Sequence, residues 1–296
     1  MRVHFQILAA GAALLGAASA PSAMFDVPAD RTLAVKVHGA SARLRIDPGA
    51  PSSPVFNPDF AARARFRAGW IGIEGQVGPA RVPGWTAVVR FDLGQGAFKR
   101  RIAWFNGRYV ANADGAAGPG FLEAAIVRFT LRPPAPGERR AVLPLADFGR
   151  AGLGVMLVAG KDRIATRFSL ERERSVATAS AGAAIAAAHG GRFDGAAERM
   201  LVHLGVVRPV RHLALATPFA AGPLAVEGLW VRTSDFGSTA AIPDAAAPAG
   251  DPDEIVVVGD KKQRRELRLE IGRDQLGRCS SIVFDKRART VTLSCR

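Results

Sequence analysis

Hydrophobic and polar positions alternate with a period of two in short runs along much of the chain. Leu33 to Val37, Arg43 to Ile46, Ala87 to Leu93 and Ile126 to Leu131 are examples, each bounded by glycine, proline or asparagine. A period of two marks strands with one buried face, so the pattern predicts a mainly β protein. Two stretches break the alternation. Asn57 and Pro58 offer a cap and a first-turn residue for a helix through Ala64, and Ser180 offers a cap for an alanine-rich helix that stops at Gly190 and Gly191. Arg132 to Glu138, rich in proline, reads as a join between lobes, and Ser234 to Glu254, rich in Ala, Pro, Gly and Asp, reads as a flexible insertion.

The pattern also repeats. Sliding the chain by about 122 residues lays Ile46 on Phe168, Ser53 on Ser175 and the helix near Asn57 on the one near Ser180. A strand pair with a glycine at its turn, Gly39 or Gly160, precedes each copy. Gly118 with Leu122 and Gly272 with Leu276 close the two copies alike. Two similar β lobes with short helices are expected, the first at residues 23–138 and the second at 139–296, with the insertion at 234–254 inside the second.

Residues 1–22 change the expected address. Arg2 and His4, an apolar run from Ile7 to Leu15, and the small residues Ala17 to Ala20 follow the order of a secretory signal. The run is too short to span a bilayer, so the expectation is a soluble exported protein, periplasmic or secreted. Lysine and arginine number 40 against 26 aspartates and glutamates, a balance that favours anionic surroundings. The arginines are scattered over strand-like segments and an exported protein rarely meets nucleic acid, so no nucleic-acid partner is expected. Contact with an anionic envelope surface stays open.

The two cysteines, Cys279 and Cys295, flank a charged turn from Asp285 to Arg289 in a hairpin pattern. Pairing Asp285 with Arg289 sets Val283 against Val291, Ser281 against Leu293 and Cys279 against Cys295. A disulfide is expected in an oxidising compartment, whereas two cysteines without nearby histidines make a poor zinc site.

Leu44-Arg45-Ile46-Asp47-Pro48-Gly49-Ala50 resembles the hydrophobic-x-hydrophobic-Asp-Thr/Ser-Gly-Ala/Ser signature of retropepsin-like and pepsin-like aspartic proteases. Asp114 to Gly118 followed by Leu122, and Leu269 to Asp274 followed by Leu276, resemble that family's second signature, a hydrophobic pair and glycine before a short helix. The resemblance implies two closed, mostly antiparallel β lobes of the acid-protease type, with one catalytic aspartate from each lobe at the cleft between them. Two carboxyls about 3 Å apart share one proton, so one activates water while the other protonates the scissile carbonyl. On this pattern Asp47 is the catalytic position, with Pro48 and Gly49 forming its loop. Pro48 stands where the family has a bracing hydroxyl residue, and Ser169 falls where the second aspartate belongs, leaving a vestigial position. Moving the alignment by two residues would offer Glu171 instead.

Read without the resemblance, Asp47-Pro48-Gly49 suits a surface turn, Asp114-Gly115 a hairpin turn, and Asp274 the first turn of a short helix. Gly154 to Lys161 lacks the spacing of a phosphate loop and reads as strand and turn. His38, His189, His203 and His212 have no metal-ligand spacing, and no cofactor or metal is expected. Asp253 to Gly259 resembles the Ton box of outer-membrane transporters, and its valine run also reads as a buried strand. The expectation is an exported, two-lobed, aspartic-protease-like protein with impaired catalysis, a pseudoenzyme that binds peptide or protein in its cleft. The alternatives are an active aspartic endopeptidase using Asp47, which would be a hydrolase, and a structural or anionic-envelope-binding protein. Pairing two copies of Asp47 in a dimer is conceivable, but a chain that carries two lobes has little need of it.

Overall fold

The computed structural model describes residues 24–94, 96–245 and 265–296. The signal-like segment and the Ton-box-like stretch lie outside them. After β1 (Met24–Asp26), a hairpin of β2 (Thr32–Val37) and β3 (Ala40–Ile46) leads through a tight loop to β4 (Val55–Phe56) and α1 (Pro58–Arg63). Then come β5 (Gly72–Val77), β6 (Ala80–Asp92), β7 (Ala97–Phe105) and β8 (Gly115–Ala117). β9 (Ile126–Thr130) and β10 (Arg139–Asp147) carry the chain onward, and the proline-rich join is the loop between them. The second round is β11 (Leu153–Ala159), β12 (Asp162–Phe168), β13 (Val176–Ala177), α2 (Ala179–His189), β14 (Arg192–His203), β15 (Val206–Ala221), β16 (Leu224–Arg232) and β17 (Arg268–Ile271). α3 (Arg273–Leu276), β18 (Cys279–Asp285) and β19 (Thr290–Cys295) complete it.

The protein is mainly β, and the two rounds share one strand order. β2-β3-β8-β4-β7-β6-β5 in the first lobe is matched by β11-β12-β17-β13-β16-β15-β14 in the second. The registers match as well. β3 runs parallel to β8 with Ile46 beside Ala117, and β12 runs parallel to β17 with Phe168 beside Ile271. β4 and β13 each return antiparallel, Val55 to Ala116 and Val176 to Glu270. The offset is therefore 122 residues at Ile46 and Phe168 but 121 at Val55 and Val176, so the second loop is one residue shorter than a gapless match requires. β2 also pairs with β6, which closes the first lobe on itself. In the second lobe, β11 instead continues through β10 into β19, β18, β9 and β1, so strands from both halves of the chain form one joining sheet.

Side-chain size explains how each lobe fills. Phe56, Phe60 and Phe91 are fully buried in the first lobe, with the rings of Phe56 and Phe60 stacked 4.9 Å apart. Burying such a side chain contributes about 1.5–3 kcal/mol. In the second lobe α2 lies flat on β15 and β16 through small residues. A Cβ on Gly182 would come within 2.4 Å of Val231, and Gly190 ends the helix in the left-handed conformation. The helix starts at Ala179 with Thr178 at the cap position, and Ser180, expected there, instead donates to the Phe236 carbonyl. Residues 234–245 are not loose: Ile242 is buried and Arg211 pairs with Asp244 at 2.8 Å.

Cys279 and Cys295 face each other in the β18–β19 hairpin and are disulfide-bonded. A bulge between Cys279 and Ser281 shifts the rest of the register by one, setting Val283 on Thr292 and Asp285 on Thr290 rather than on Val291 and Arg289. The bridge ties positions 16 apart in sequence, and constraining the unfolded chain over such a loop is worth about 3 kcal/mol. Urea unfolding of the Cys279→Ser/Cys295→Ser variant should show a loss near that size. Unchanged stability would mean the hairpin holds its register without the bond.

Candidate functional site

β3 delivers Asp47 into the centre of the molecule. Its amide donates to the Ala117 carbonyl at 3.1 Å, and the Ala50 amide returns to the Asp47 carbonyl at 3.0 Å, so Asp47-Pro48-Gly49-Ala50 closes a β-turn. Pro48 presets the backbone at the second position of that turn. The Gly49 amide donates to Asp47 Oδ2 at 3.1 Å. This is the tight bend that Asp-Pro-Gly predicts, but it is not on the surface, because Asp47 is 4% exposed.

The second lobe supplies the facing loop. The Ser169 amide donates to the Ile271 carbonyl at 2.9 Å, repeating the bond from Asp47 to Ala117, and the Glu171 amide donates to Ser169 Oγ at 3.3 Å, repeating the bond from Gly49 to Asp47. Ser169 is thus the counterpart of Asp47, and the unshifted alignment holds. The loops touch so closely that a Cβ on Gly49 would lie 2.8 Å from the Phe168 carbonyl oxygen. Across this contact the Leu170 amide donates to Asp47 Oδ1 at 2.6 Å. The reciprocal bond would need an amide proton on Pro48, which proline lacks. The loop pair is therefore asymmetric twice over, in the acid and in its donor.

Burial raises the Asp47 pKa to about 6. The Leu170 amide opposes that rise, the Glu171 charge adds to it, and the Ser169 hydroxyl and Arg31 oppose it more weakly. Arg31 Nη1 lies 3.9 Å from Asp47 Oδ1 and 2.8 Å from Glu171 Oε1, with Arg45 Nε 3.5 Å from the same Glu171 oxygen. A cross-lobe ion cluster thus borders the buried carboxyl.

The cavity that Asp47 lines also holds residues that the sequence alone assigns no site role. Asp47, Gly49 and Ser169 share a cavity of about 190 Å³ with Tyr109, His203 and Glu270. The rings of Tyr109 and His203 meet edge to face at 4.8 Å. Burial lowers the His203 pKa to about 4, so its ring is neutral near pH 7, and burial raises the Tyr109 hydroxyl pKa. Burial pushes the Glu270 pKa upward, but Arg172 and Arg167 outweigh it and hold the carboxyl well below its usual range. No local motif marks Tyr109 or His203, since they meet only through the packing of segments distant in sequence.

The second lobe's β14–β15 hairpin covers the cavity. Leu204 at its tip is buried against Val55, Val82, Ala103 and Phe105 of the first lobe. A Cβ on Gly107 would lie 1.7 Å from the Leu204 carbonyl oxygen, and one on Gly75 would lie 2.2 Å from the Leu204 side chain. The first lobe's β5–β6 hairpin reaches back in turn, since a Cβ on Gly78 would lie 2.4 Å from Asp235, which pairs with Arg232 at 2.6 Å.

Other expected site residues are structural. Asn57 occupies the cap position of α1 but makes no capping bond, its amide being buried and spent on Tyr109, Val110 and Ala113. Asp114 does not sit in a hairpin turn, because it anchors the Arg43 amide at 2.8 Å and pairs with Arg63. Asp274, in the first turn of α3, binds the hydroxyl and amide of Ser175. Among the described residues no group of three or more His, Cys, Asp or Glu is arranged to hold a metal ion.

Compared with known proteins, the chain matches no family model and no curated protein sequence. Among solved structures it is similar to an aspartic proteinase from Irpex lacteus, with 10% identity over 90% of this chain and 94% of that one and a TM-score of 0.42. An inhibitor complex of the EIAV protease overlaps 29% of this chain and 79% of that chain, with 17% identity and a TM-score of 0.23. The relation between the two lobes stands apart from these likenesses, on the chain's own repeated strand order.

Because the folded protein holds the Asp47 proton more tightly than the unfolded chain, this group's contribution to stability is complete below its ordinary pKa of 3.8 and is lost as pH rises through about 6. Asp47→Asn keeps a neutral group in place. Compared with that variant, the native protein should lose up to about 3 kcal/mol between about pH 4 and pH 7. Urea midpoints of both at each pH check this, and parallel curves would refute it.

Proposed function

We propose that the chain is an exported aspartic-protease-like protein that has lost efficient catalysis and holds peptide or protein between its lobes. The observation that carries the reading is Ser169 at the position opposite Asp47. Acid-protease chemistry needs two carboxyls sharing a proton, one to activate water and one to protonate the carbonyl. A serine hydroxyl can donate to Asp47 but cannot take that second part at the pH where Asp47 works. Losing one member of such a unit costs a factor of about 10⁴ or more.

The size of the cleft limits what it admits in this state. Its cavity of about 190 Å³ is below the roughly 300 Å³ at which small-molecule pockets begin, so an extended peptide enters only if the β14–β15 hairpin lifts. The signal-like N-terminus and the Cys279–Cys295 bridge support the exported location, and among the described residues no helix is long and apolar enough to cross a membrane.

A second reading has one observation in its favour. Glu171 lies close enough to raise the Asp47 pKa, and both carboxyls approach the same Arg31 nitrogen, so Asp47 with Glu171 would be the dyad of an active endopeptidase. Against it, Arg31 and Arg45 hold the Glu171 carboxylate as an ion pair. Labelled casein peptides separate the readings. They should bind uncut, about tenfold tighter to Leu204→Ala, whose hairpin has lost its apolar anchor. Pepstatin-sensitive cleavage that disappears in Asp47→Asn or Glu171→Gln would overturn the leading reading.

A further inference from the structure

The first lobe carries an unmatched basic face whose residues do not line the site above. On the outer face of β6 and β7, Val88 opposes Arg101 and Arg90 opposes Lys99, with Lys36 of β2 opposite Asp92 at the next position. Beside this face the segment after α1 runs along β6, where the Gly69 amide donates to the Thr86 carbonyl at 2.8 Å and the Thr86 hydroxyl donates to the Ile71 carbonyl at 3.0 Å. That segment presents Arg65, Arg67 and Trp70 to solvent. Trp70 is 97% exposed and Val88 55%. The neighbouring Arg63, Arg81 and Arg100 are each matched to a carboxylate. Lys36, Arg65, Arg67, Arg90 and Lys99 have none within ion-pair distance among the described residues.

Two features need a common account. Unmatched cations on one face repel each other unless an anionic surface covers them, and screening limits that attraction to about a Debye length. A tryptophan held fully in water gains most where its apolar body meets hydrocarbon and its N–H stays at a polar boundary, which is the headgroup region of a bilayer. A soluble polyanion would satisfy the cations but leave Trp70 and Val88 wet. We propose that this face, centred on Trp70, Arg90 and Lys99, docks the protein on the surface of an anionic phospholipid bilayer.

Co-sedimentation of the mature protein with vesicles of phosphatidylcholine containing one part in three phosphatidylglycerol tests it. Binding should be strong at low ionic strength, fall steeply with added salt, and be absent from pure phosphatidylcholine. Arg90→Gln with Lys99→Gln should weaken it about thirtyfold, and Trp70→Ala about tenfold. Arg192→Gln with Arg199→Gln removes two exposed charges from the second lobe's edge strand β14 and should change it less than about twofold. Tryptophan emission should shift to the blue on adding vesicles, except in Trp70→Phe. Equal weakening by the β14 control would show that net charge rather than this face does the binding, and would overturn the proposal. So would undiminished binding of the Arg90→Gln/Lys99→Gln variant, or no binding at low salt.

Discussion

A buried carboxyl with few partners is costly, and Asp47 survives because the other lobe meets it. The Leu170 amide reaches Asp47 Oδ1 at 2.6 Å while the Gly49 amide takes the other oxygen. Without Leu170 a group 4% exposed would keep one backbone donor and the Ser169 hydroxyl, and burial would raise its pKa further. That bond also sets how the lobes meet. It requires the loop after β12 to lie against the loop after β3, which requires a glycine at position 49, since any Cβ there would press on Phe168. The spacing between lobes, and hence the size of the cavity, follows from this contact.

The duplication makes the asymmetry readable as chemistry. Each lobe brings a parallel strand pair to the same place and turns the chain there with the same two hydrogen bonds. A symmetric pair would have two acids and two crossing amides. Here Ser169 stands at the position that Asp47 holds in the other lobe and Pro48 offers no second amide, and the two agree, because a serine with no crossing donor leaves no buried charge to satisfy. The loop pair also links the lobes. It holds one protonatable carboxyl in a neutral-to-anionic balance near pH 6 and ties the lobes through Arg31, Glu171 and Arg45.

Much of this was legible in the sequence where the determinant is local. The period of two in Leu33 to Val37 or Ile126 to Leu131 is a property of neighbouring residues, and the strands appear there. The cysteine pairing followed from hairpin symmetry, although the bulge after Cys279 could not be foreseen from side-chain types. Asp-Pro-Gly has the same turn chemistry whether buried or exposed, so it marked the bend at Asp47 but not its depth. Asn57 shows the converse. Its residue type argued for a cap, yet the loop at Tyr109 and Val110, some 52 residues on, claims its amide. Tyr109 drew no reading and His203 only that of a lone histidine, because the β14–β15 hairpin meets the loop after β7 through packing that no short spacing records.

The hairpins give the lobes a second contact. Leu204 of one lobe and Gly78 of the other each rest on the opposite lobe, and Gly75 and Gly107 leave room for that contact by having no side chains. A small apolar cluster at the tip of β14–β15 thus joins the lobes alongside the ion pairs around Asp47. Apolar contacts of this size are worth a few kcal/mol. The lobes therefore meet through two contacts of different chemistry, the hydrogen-bonded loops at Asp47 and the apolar packing of Leu204.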